Sequence, residues 1–233
     1  MQIKRLIKYF SPFEWSLWIC SVAVIILSFC LSCNFYPLTL IASVLGVTAL
    51  IFIAKGNVIG QFIVIVFSLL YSVISIRFRY YGEMITYLFM SAPSAVAACI
   101  SWLKHPSKNG KSEVEIAPLT KRKFLFLCIA AVLVTVAFYF ILKYFNTANL
   151  LPSTLSVTTS FFAAALLFFR NPFYAVAYAA NDIVLIVLWV LASMESLSYL
   201  PMVICFLAFL FNDLYGFYNW RKMQRRQATP LKT

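Results

Sequence analysis

Two acidic residues lie inside apolar stretches near the end of the chain. Asp182 follows Asn181 in the middle of PFYAVAYAANDIVLIVLWVLA, and Asp213 follows Asn212 in YLPMVICFLAFLFNDLYGFYNW. An ionised carboxylate at the centre of a bilayer costs at least ~2.5 kcal/mol, even on a permissive insertion scale. Two such residues, each beside an amide and flanked by Tyr and Trp, therefore predict a polar pocket inside a helix bundle that binds and passes a small polar solute.

Helical spacing selects the side chains that would line this pocket, because residues about one or two turns apart share a helix face. Amides offer both donors and acceptors to hydroxyl groups, and aromatic rings stack on flat heterocycles, more strongly on cationic ones. The predicted solute contacts are Asn181, Asp182, Asn212, Tyr215 and Asn219, followed by Trp189, Tyr178, Gln61 and Tyr87. The alternative is that the Asn and Asp side chains only hydrogen-bond between helices and hold the bundle together.

Missing residue types narrow the function. No Lys or Arg occurs in the central part of any apolar segment, and a phosphate or carboxylate ligand would usually require one. The solute is therefore expected to be neutral or cationic, which excludes nucleotides more firmly than nucleosides. The sequence contains no Gly-x-Ser-x-Gly elbow and no Walker motif. Cys30 and Cys33 have the spacing of a redox or metal-binding pair, but the only histidine, His105, is distant from them. We predict no catalytic residues, no metal ligands and no cofactor. The enzyme alternative is an intramembrane hydrolase that uses the two aspartates.

The composition is typical of an integral membrane protein. Of the 233 residues, 63% are hydrophobic and only 11% are charged, and the mean hydropathy is +0.90, whereas a soluble domain carries about 25% charged residues. Runs of roughly 20 apolar residues are typical of α-helical spans. We predict an all-α polytopic helix bundle with eight spans, at residues 14–33, 38–54, 58–76, 84–103, 124–143, 152–169, 173–192 and 199–219.

The basic residues predict the orientation of these spans. Nearly all of the 19 Lys and Arg residues lie in segments on the same side as the N-terminus, and only Arg77, Arg79 and Lys143 lie on the other side. Because positively charged loops stay in the cytoplasm, we expect a multi-pass protein of the cell membrane with both termini cytoplasmic. The net charge of +12 is thereby explained by topology in the lipid bilayer, and no nucleic-acid partner is predicted.

An internal repeat divides the chain. Sliding residues 39–57 onto 154–172 superposes Lys55 on Arg170, and a slightly larger offset later superposes Trp102 on Trp220. Two three-helix units of the same orientation, joined by an inverting helix, are typical of a parallel-repeat transporter. The predicted organisation is an amphipathic segment and extra helix (1–36), a first unit (37–103), a basic loop and linker helix (104–150), a second unit (151–220) and a basic tail (221–233). The basic loop is expected to be a solvated linker.

Three stretches resemble one transporter family. YAANDIVLIVLW (178–189), FLFNDLYGFYNWRK (209–222) and IGQFIVIVFSLLYSVISIRFRYYGEM (59–84) resemble the PnuC family of nicotinamide riboside transporters, and the likeness covers essentially the whole chain from Phe13. The resemblance implies a plan similar to that of SWEET sugar transporters. It also implies uptake of nicotinamide riboside by facilitated diffusion, trapping of the vitamin through phosphorylation by a cytosolic kinase, and a homotrimer.

The substrate within this family stays open at the level of sequence. Many relatives have Tyr-Gly-Trp before the terminal Trp of the fourth span, where this chain has AACISW at 97–102, a departure that removes ring surface from the first unit. A cationic pyridinium ribonucleoside suits the paired acids, amides and aromatic residues, and thiamine, also cationic, suits them almost as well. Riboflavin is a further candidate. The remaining alternative is a substrate-binding membrane subunit of a larger importer.

Overall fold

Eight long helices account for most of the chain. The computed structural model describes residues 9–31, 37–77, 81–107, 112–147 and 149–228. The helices are α1 (Pro12–Leu31), α2 (Pro37–Ala54), α3 (Ile59–Arg77), α4 (the consecutive pieces Tyr81–Thr86, Tyr87–Ser91 and Ala92–Lys104), α5 (Lys121–Tyr144), α6 (Leu150–Phe168), α7 (Tyr174–Glu195) and α8 (Leu200–Ala228). Each of the eight provides a segment long and apolar enough to cross a membrane. The prediction of an all-α helix bundle with eight spans is confirmed.

Proline and asparagine residues set several helix starts. Pro12 stands at the first position of α1, where its missing N–H costs no hydrogen bond. Asn57 Oδ1 accepts the backbone N–H of Ile59 at 2.9 Å where α3 begins, and Asn171 Oδ1 accepts that of Phe173 at 3.1 Å just before α7. Each amide oxygen satisfies a donor that a helix start leaves unpaired.

The helices form two three-helix units with matching contacts. In the first unit α2 packs on α3 and α3 on α4, and in the second α6 packs on α7 and α7 on α8. Between the units, α2 contacts α8 and α4 contacts α6, so each unit presents its first and third helices to the other. The linker helix α5 packs on α6, and the extra helix α1 packs on α2 and α8. The fold class predicted from the repeat is therefore correct.

The turn after the first helix of each unit shows which residues of the two units are equivalent. Gly56 has a φ of 66° and Arg170 a φ of 60°, and the next residue in each turn, Asn57 or Asn171, caps the following helix. The backbone therefore pairs Gly56 with Arg170, one residue away from the predicted pairing of Lys55 with Arg170. That alignment was wrong because it matched side-chain charge, whereas the left-handed backbone conformation defines the equivalent position.

These two turns, the loop residues 105–107 and 112–120 and the last part of α8 form what we call the basic end of the bundle. In the loop, Val114 N–H donates to Gly56 O at 2.9 Å, and Ala117 N–H donates to Arg170 O at 3.1 Å. Most of residues 113–119 are buried or half-buried. The prediction of a solvated linker was wrong for this part of the loop, because its backbone bonds to both units. The last helix also continues to Ala228, through much of the predicted tail.

Polar contacts attach α1 to the first unit. Ser11 N–H donates to Glu14 Oε2 at 2.6 Å, and Glu14 N–H donates to Ser11 Oγ at 3.2 Å, which is the reciprocal capping box of a helix start. Glu14 also forms an ion pair with Lys55 at 3.0 Å, and Trp18 Nε1 donates to Thr48 Oγ1 at 3.1 Å. The first two turns of the extra helix are thus bonded to α2 and to the turn that follows it. Most of the predicted amphipathic lead-in, residues 1–8, lies outside the described residues.

Candidate substrate site

A cavity of about 480 Å³ lies between the two units. Its walls come from α2, α3 and α4 of the first unit and from α6, α7 and α8 of the second. Small-molecule sites in proteins usually measure about 300–1,000 Å³, so this volume suits a solute of vitamin or nucleoside size. Ser68 of α3 and Asp182 of α7 lie about 12–14 Å along their helices from the basic end, at ~1.5 Å per residue. That depth is close to the middle of a hydrocarbon layer of about 30 Å.

Two carboxyl groups meet in the wall of this cavity. Asp182 on α7 and Asp213 on α8 are each 3% exposed and line the cavity, and their side chains lie within hydrogen-bonding reach of each other. Asp182 Oδ2 has no hydrogen-bond partner among the described residues. Two carboxylates this close in a medium of low dielectric repel each other unless a proton or a cation lies between them. The acid pair is therefore suited to a cationic group.

The neighbouring amide of Asn181 is held in one orientation. Its Oδ1 accepts hydrogen bonds from Thr159 Oγ1 at 2.8 Å, Ser160 Oγ at 3.0 Å and Ser156 Oγ at 3.4 Å. These three hydroxyls of α6 occupy the carbonyl oxygen, so the Nδ2 group remains as a donor. Because Asn181 lines the cavity, that donor is available to a solute.

The first unit contributes two unpaired polar groups on α3. Gln61 is 1% exposed and Ser68 is 0% exposed, and both line the cavity. Gln61 Nε2 and Ser68 Oγ have no hydrogen-bond partner within the described part of the chain. A buried polar group left unpaired costs about 1–3 kcal/mol. A solute with hydroxyl or amide groups would remove that cost on binding.

Aromatic rings from both units line the part of the cavity farther from the basic end. In the first unit, the rings of Tyr71 and Tyr87 have centroids 4.4 Å apart, and Phe67 lies 5.8 Å from Tyr87. In the second unit, Trp189 and Tyr199 lie 5.7 Å apart. All five rings line the cavity. Such surfaces stack on flat heterocycles and attract cations to their faces.

A π-helical turn places several of these side chains. Tyr87–Ser91 forms this turn directly before Ala92 and Pro93. Proline lacks the N–H for a helical hydrogen bond, and its ring displaces the carbonyl one turn earlier. The wider π turn accommodates that loss, and it brings Tyr87, Met90 and Ser91 into the cavity lining. Helix α4 therefore accommodates Pro93 by means of a π turn.

The cavity extends toward solvent at the end opposite the basic end and is closed at the basic end. At the opposite end its lining includes four exposed residues: Phe145, Asn146, Asn149 and Glu195. At the basic end it stops at four residues that are 1–4% exposed: Ile53, Gln61, Leu167 and Tyr174. The described residues therefore leave access from one side of the bundle only.

Six of the nine predicted solute contacts line this cavity: Asn181, Asp182, Trp189, Tyr178, Gln61 and Tyr87. The other three lie on a different face of α8. Asn212 Nδ2 donates to Ser21 Oγ of α1 at 3.0 Å, and Tyr215 Oη donates to Glu14 Oε1 at 2.7 Å. Asn219 Nδ2 donates to the last carbonyl of α2 at 2.8 Å. In this geometry the three side chains hold α8 against α1 and α2, which is the role that the sequence left open as the alternative.

Two further lining residues, Asp213 and Ser68, were not among the predicted contacts. Asp213 belongs to the second Asn-Asp pair, but helical spacing favoured the face of its neighbour Asn212, about 100° away around the helix. Ser68 gave no usable signal, because serine in an apolar helix usually bonds its own backbone. Ser72 does so here, donating to Ser68 O at 2.8 Å.

The charged residues of the cavity lining are all acidic. They are Asp182, Asp213 and Glu195, and no Lys or Arg of the described ranges is among them. Within those ranges no group of His, Cys, Asp and Glu side chains could hold a metal ion. A phosphate in this cavity would face acidic side chains without a cationic partner.

Known proteins resemble this chain in sequence and in fold. The nicotinamide riboside transporter PnuC of Neisseria mucosa is 26% identical over 192 residues, which cover 81% of this chain and 73% of that protein. The nicotinamide riboside transporter PnuC of Haemophilus influenzae is 24% identical over 190 residues, which cover 81% of each protein. A crystal structure of the vitamin B3 transporter PnuC matches with a TM-score of 0.79 over 94% of both chains at 24% identity, which shows a common fold. The family described as nicotinamide mononucleotide transporter matches residues 36–222, and this chain therefore belongs to that family of membrane transporters.

Proposed function

We propose that this chain carries nicotinamide riboside across the cell membrane. The observation that supports this most directly is the acid pair of Asp182 and Asp213 in a cavity that no described Lys or Arg lines. Nicotinamide riboside has a pyridinium ring with a fixed positive charge and a ribose with several hydroxyl groups. The charged ring would bind beside the acid pair, and the aromatic residues would stack on this ring.

The polar groups around the acid pair suit the rest of this nucleoside. Gln61 Nε2 and Ser68 Oγ have no hydrogen-bond partner among the described residues. The Ser68 hydroxyl can donate and accept, and Asn181 offers its Nδ2 group as a donor because hydroxyls of α6 occupy its Oδ1. Ribose hydroxyls and the carboxamide of the base offer complementary groups. A site that pairs buried polar groups with a ligand discriminates strongly against analogues that leave them unpaired.

The riboside suits the cavity better than its phosphorylated form. The family description names the mononucleotide, and the two relatives are named for the riboside. A phosphate adds a charge of about −1.5 to −2 near neutral pH. Placed in a cavity whose charged lining is acidic, it would be repelled rather than bound.

Transport would proceed by alternating exposure of the cavity to the two sides of the membrane. From the excess of Lys and Arg at the basic end we propose that this end faces the cytoplasm, and on that orientation the open end of the cavity faces outside. Rocking of the two units about the cavity would then open it inward, as in other parallel-repeat transporters. From the resemblance we further propose facilitated diffusion, trapping through a cytosolic kinase and a homotrimeric assembly.

The substrate is tested by calorimetry on the purified protein with nicotinamide riboside, thiamine and riboflavin. We expect the riboside to bind most tightly, because it alone combines a cationic ring with ribose hydroxyls. Tighter binding of thiamine would show that the cavity recognises the positive charge without the ribose. Tighter binding of riboflavin would contradict the role assigned to the acid pair, since riboflavin is uncharged.

Uptake into vesicles that contain only this chain tests the mechanism. If the chain transports by itself, the riboside inside the vesicles should reach the outside concentration. A subunit of a larger importer should not transport it. Facilitated diffusion also predicts that an imposed pH gradient leaves the initial rate unchanged. A rate that follows the direction of the gradient would show proton coupling through the acid pair.

A further inference from the structure

Two tryptophans make crossed hydrogen bonds between the units at the basic end. Trp102, at the end of α4 in the first unit, donates from Nε1 to Leu167 O of the second unit at 3.2 Å. Trp220, on α8 of the second unit, donates from Nε1 to Ile53 O of the first unit at 2.8 Å. The two indole rings also contact each other, with centroids 5.5 Å apart. Each unit thus reaches across to the other in the same way.

The two acceptor carbonyls lie at the ends of α2 and α6, where each also accepts a hydrogen bond from the turn that follows its helix. Gly56 N–H donates to Ile53 O at 2.8 Å, and Arg170 N–H donates to Leu167 O at 3.0 Å. Each carbonyl therefore accepts one bond from its own turn and one from the tryptophan of the other unit. A carbonyl has two lone pairs, so the crossed bonds complete the pairing of both helix ends.

The crossed bonds lie directly beneath the floor of the cavity. Ile53 and Leu167 line the cavity at its basic end, whereas Trp102 and Trp220 do not line it and are 3% and 0% exposed. The buried residues of the same cluster include Val114 from the loop 105–120. Access toward the basic end therefore requires the two tryptophans to separate from the floor.

We infer that Trp102 and Trp220 form the cytoplasmic gate of this transporter. The inference rests on the proposed function, because a gate has meaning only if the cavity opens to both sides. In the closed gate the crossed indole bonds tie α4 to α6 and α8 to α2, the two helix pairs through which the units meet. Opening breaks both bonds and frees the carbonyls of Ile53 and Leu167 to face water.

The experiment measures access to the cavity from the cytoplasmic side. A cysteine is placed at Ala164, which lines the cavity about one turn before Leu167, and is labelled with a water-soluble, membrane-impermeant maleimide in inside-out vesicles. The labelling rate is compared with that of the same chain lacking the added cysteine. Trp102→Phe and Trp220→Phe each keep a ring and remove the indole N–H.

Each substitution is expected to raise the labelling rate from the cytoplasmic side about five-fold, the factor for one hydrogen bond of ~1 kcal/mol. The matched control is Trp18→Phe. Trp18 also donates an indole bond between helices, to Thr48 Oγ1 at 3.1 Å, but it joins α1 to α2 and does not cross between the units. This control should leave the labelling rate unchanged.

Three outcomes would overturn the gate. They are an unchanged labelling rate in both tryptophan variants, an equal rise in the Trp18→Phe control, and a rise seen only in right-side-out vesicles. Size-exclusion chromatography confirms that each variant is folded, and if one is not, the other carries the test alone because the bonds are equivalent. The labelling needs no substrate, so the gate and the choice of nicotinamide riboside as cargo can fail separately.

Discussion

The acid pair should recognise the positive charge of the cargo, and a change of charge without a change of shape tests this. Asp182→Asn and Asp213→Asn replace each carboxylate by an amide of nearly the same size. The ligand can be changed in the same way, because reduction of nicotinamide riboside to its 1,4-dihydro form removes the ring charge and keeps the ribose. Charge can therefore be removed from either partner separately.

The expected loss of affinity can be worked out from the Coulomb energy of two neighbouring charges. A unit charge about 4 Å from a carboxylate gains about 4 kcal/mol at an effective dielectric constant of ~20. Roughly half of this is offset by the desolvation of the two buried charges, which leaves ~2 kcal/mol, or about thirty-fold in affinity. Because the two carboxyls are neighbours and either can serve the cation, each single variant should lose less, and the double variant should show the full effect.

Calorimetry with both forms of the ligand separates charge recognition from damage to the site. The double variant should lose about thirty-fold in affinity for the cationic riboside and bind the dihydro form as the unmodified protein does. Glu195→Gln is the matched control, since Glu195 also lines the cavity but is exposed, where water and salt screen its charge. Equal losses for both ligands in the double variant would refute charge recognition by the acid pair.

Three further substitutions test the packing at Gly46, the unpaired amide of Gln61 and the ion pair that holds α1. Gly46→Ala places a Cβ 2.6 Å from Phe209 Cζ and should cost ~1–3 kcal/mol of stability, a loss of thermal midpoint that Phe209→Leu in the same chain should largely reverse. Gln61→Met removes the unpaired Nε2 and should raise the thermal midpoint while weakening riboside binding about ten-fold, and a lower midpoint would show that the amide is paired in the resting protein. Glu14→Gln leaves Lys55 without its ion-pair partner and should reduce the stability by ~1–3 kcal/mol, which is seen as a lower thermal midpoint. Adding Lys55→Gln should recover part of this loss. An unchanged midpoint would mean that this ion pair does not hold α1.

The spans could be predicted from the sequence because each is an apolar run with its own boundary signals. The predicted starts of α2, α3 and α7 each lie within one residue of the observed ones, where Pro37, Asn57 and Pro172 mark the turns. The end of α8 was missed, since Arg221 and Arg226 favour a tail by composition but remain helical. There Arg226 pairs with Glu113 of the loop, a contact between distant parts of the chain that local pattern does not contain.

The cavity lining of the candidate site could be predicted on α7 and only partly on α8 for the same reason. Local pattern gives the faces of a helix but not which neighbour each face meets. On α7, the face of Asp182 meets the cavity. On α8, the richer polar face, which includes Asn212, meets α1 instead. The position of this extra helix is fixed by tertiary contacts such as that between Tyr215 and Glu14, which depend on the assembled bundle.

Uptake by vesicles that contain this chain alone, measured side by side for radiolabelled nicotinamide riboside and nicotinamide mononucleotide, tests the central claim most directly. We expect the riboside to equilibrate with the vesicle interior and the mononucleotide to stay outside, because its phosphate would enter a cavity whose charged lining is acidic. Entry of the mononucleotide at a rate comparable to that of the riboside would contradict it.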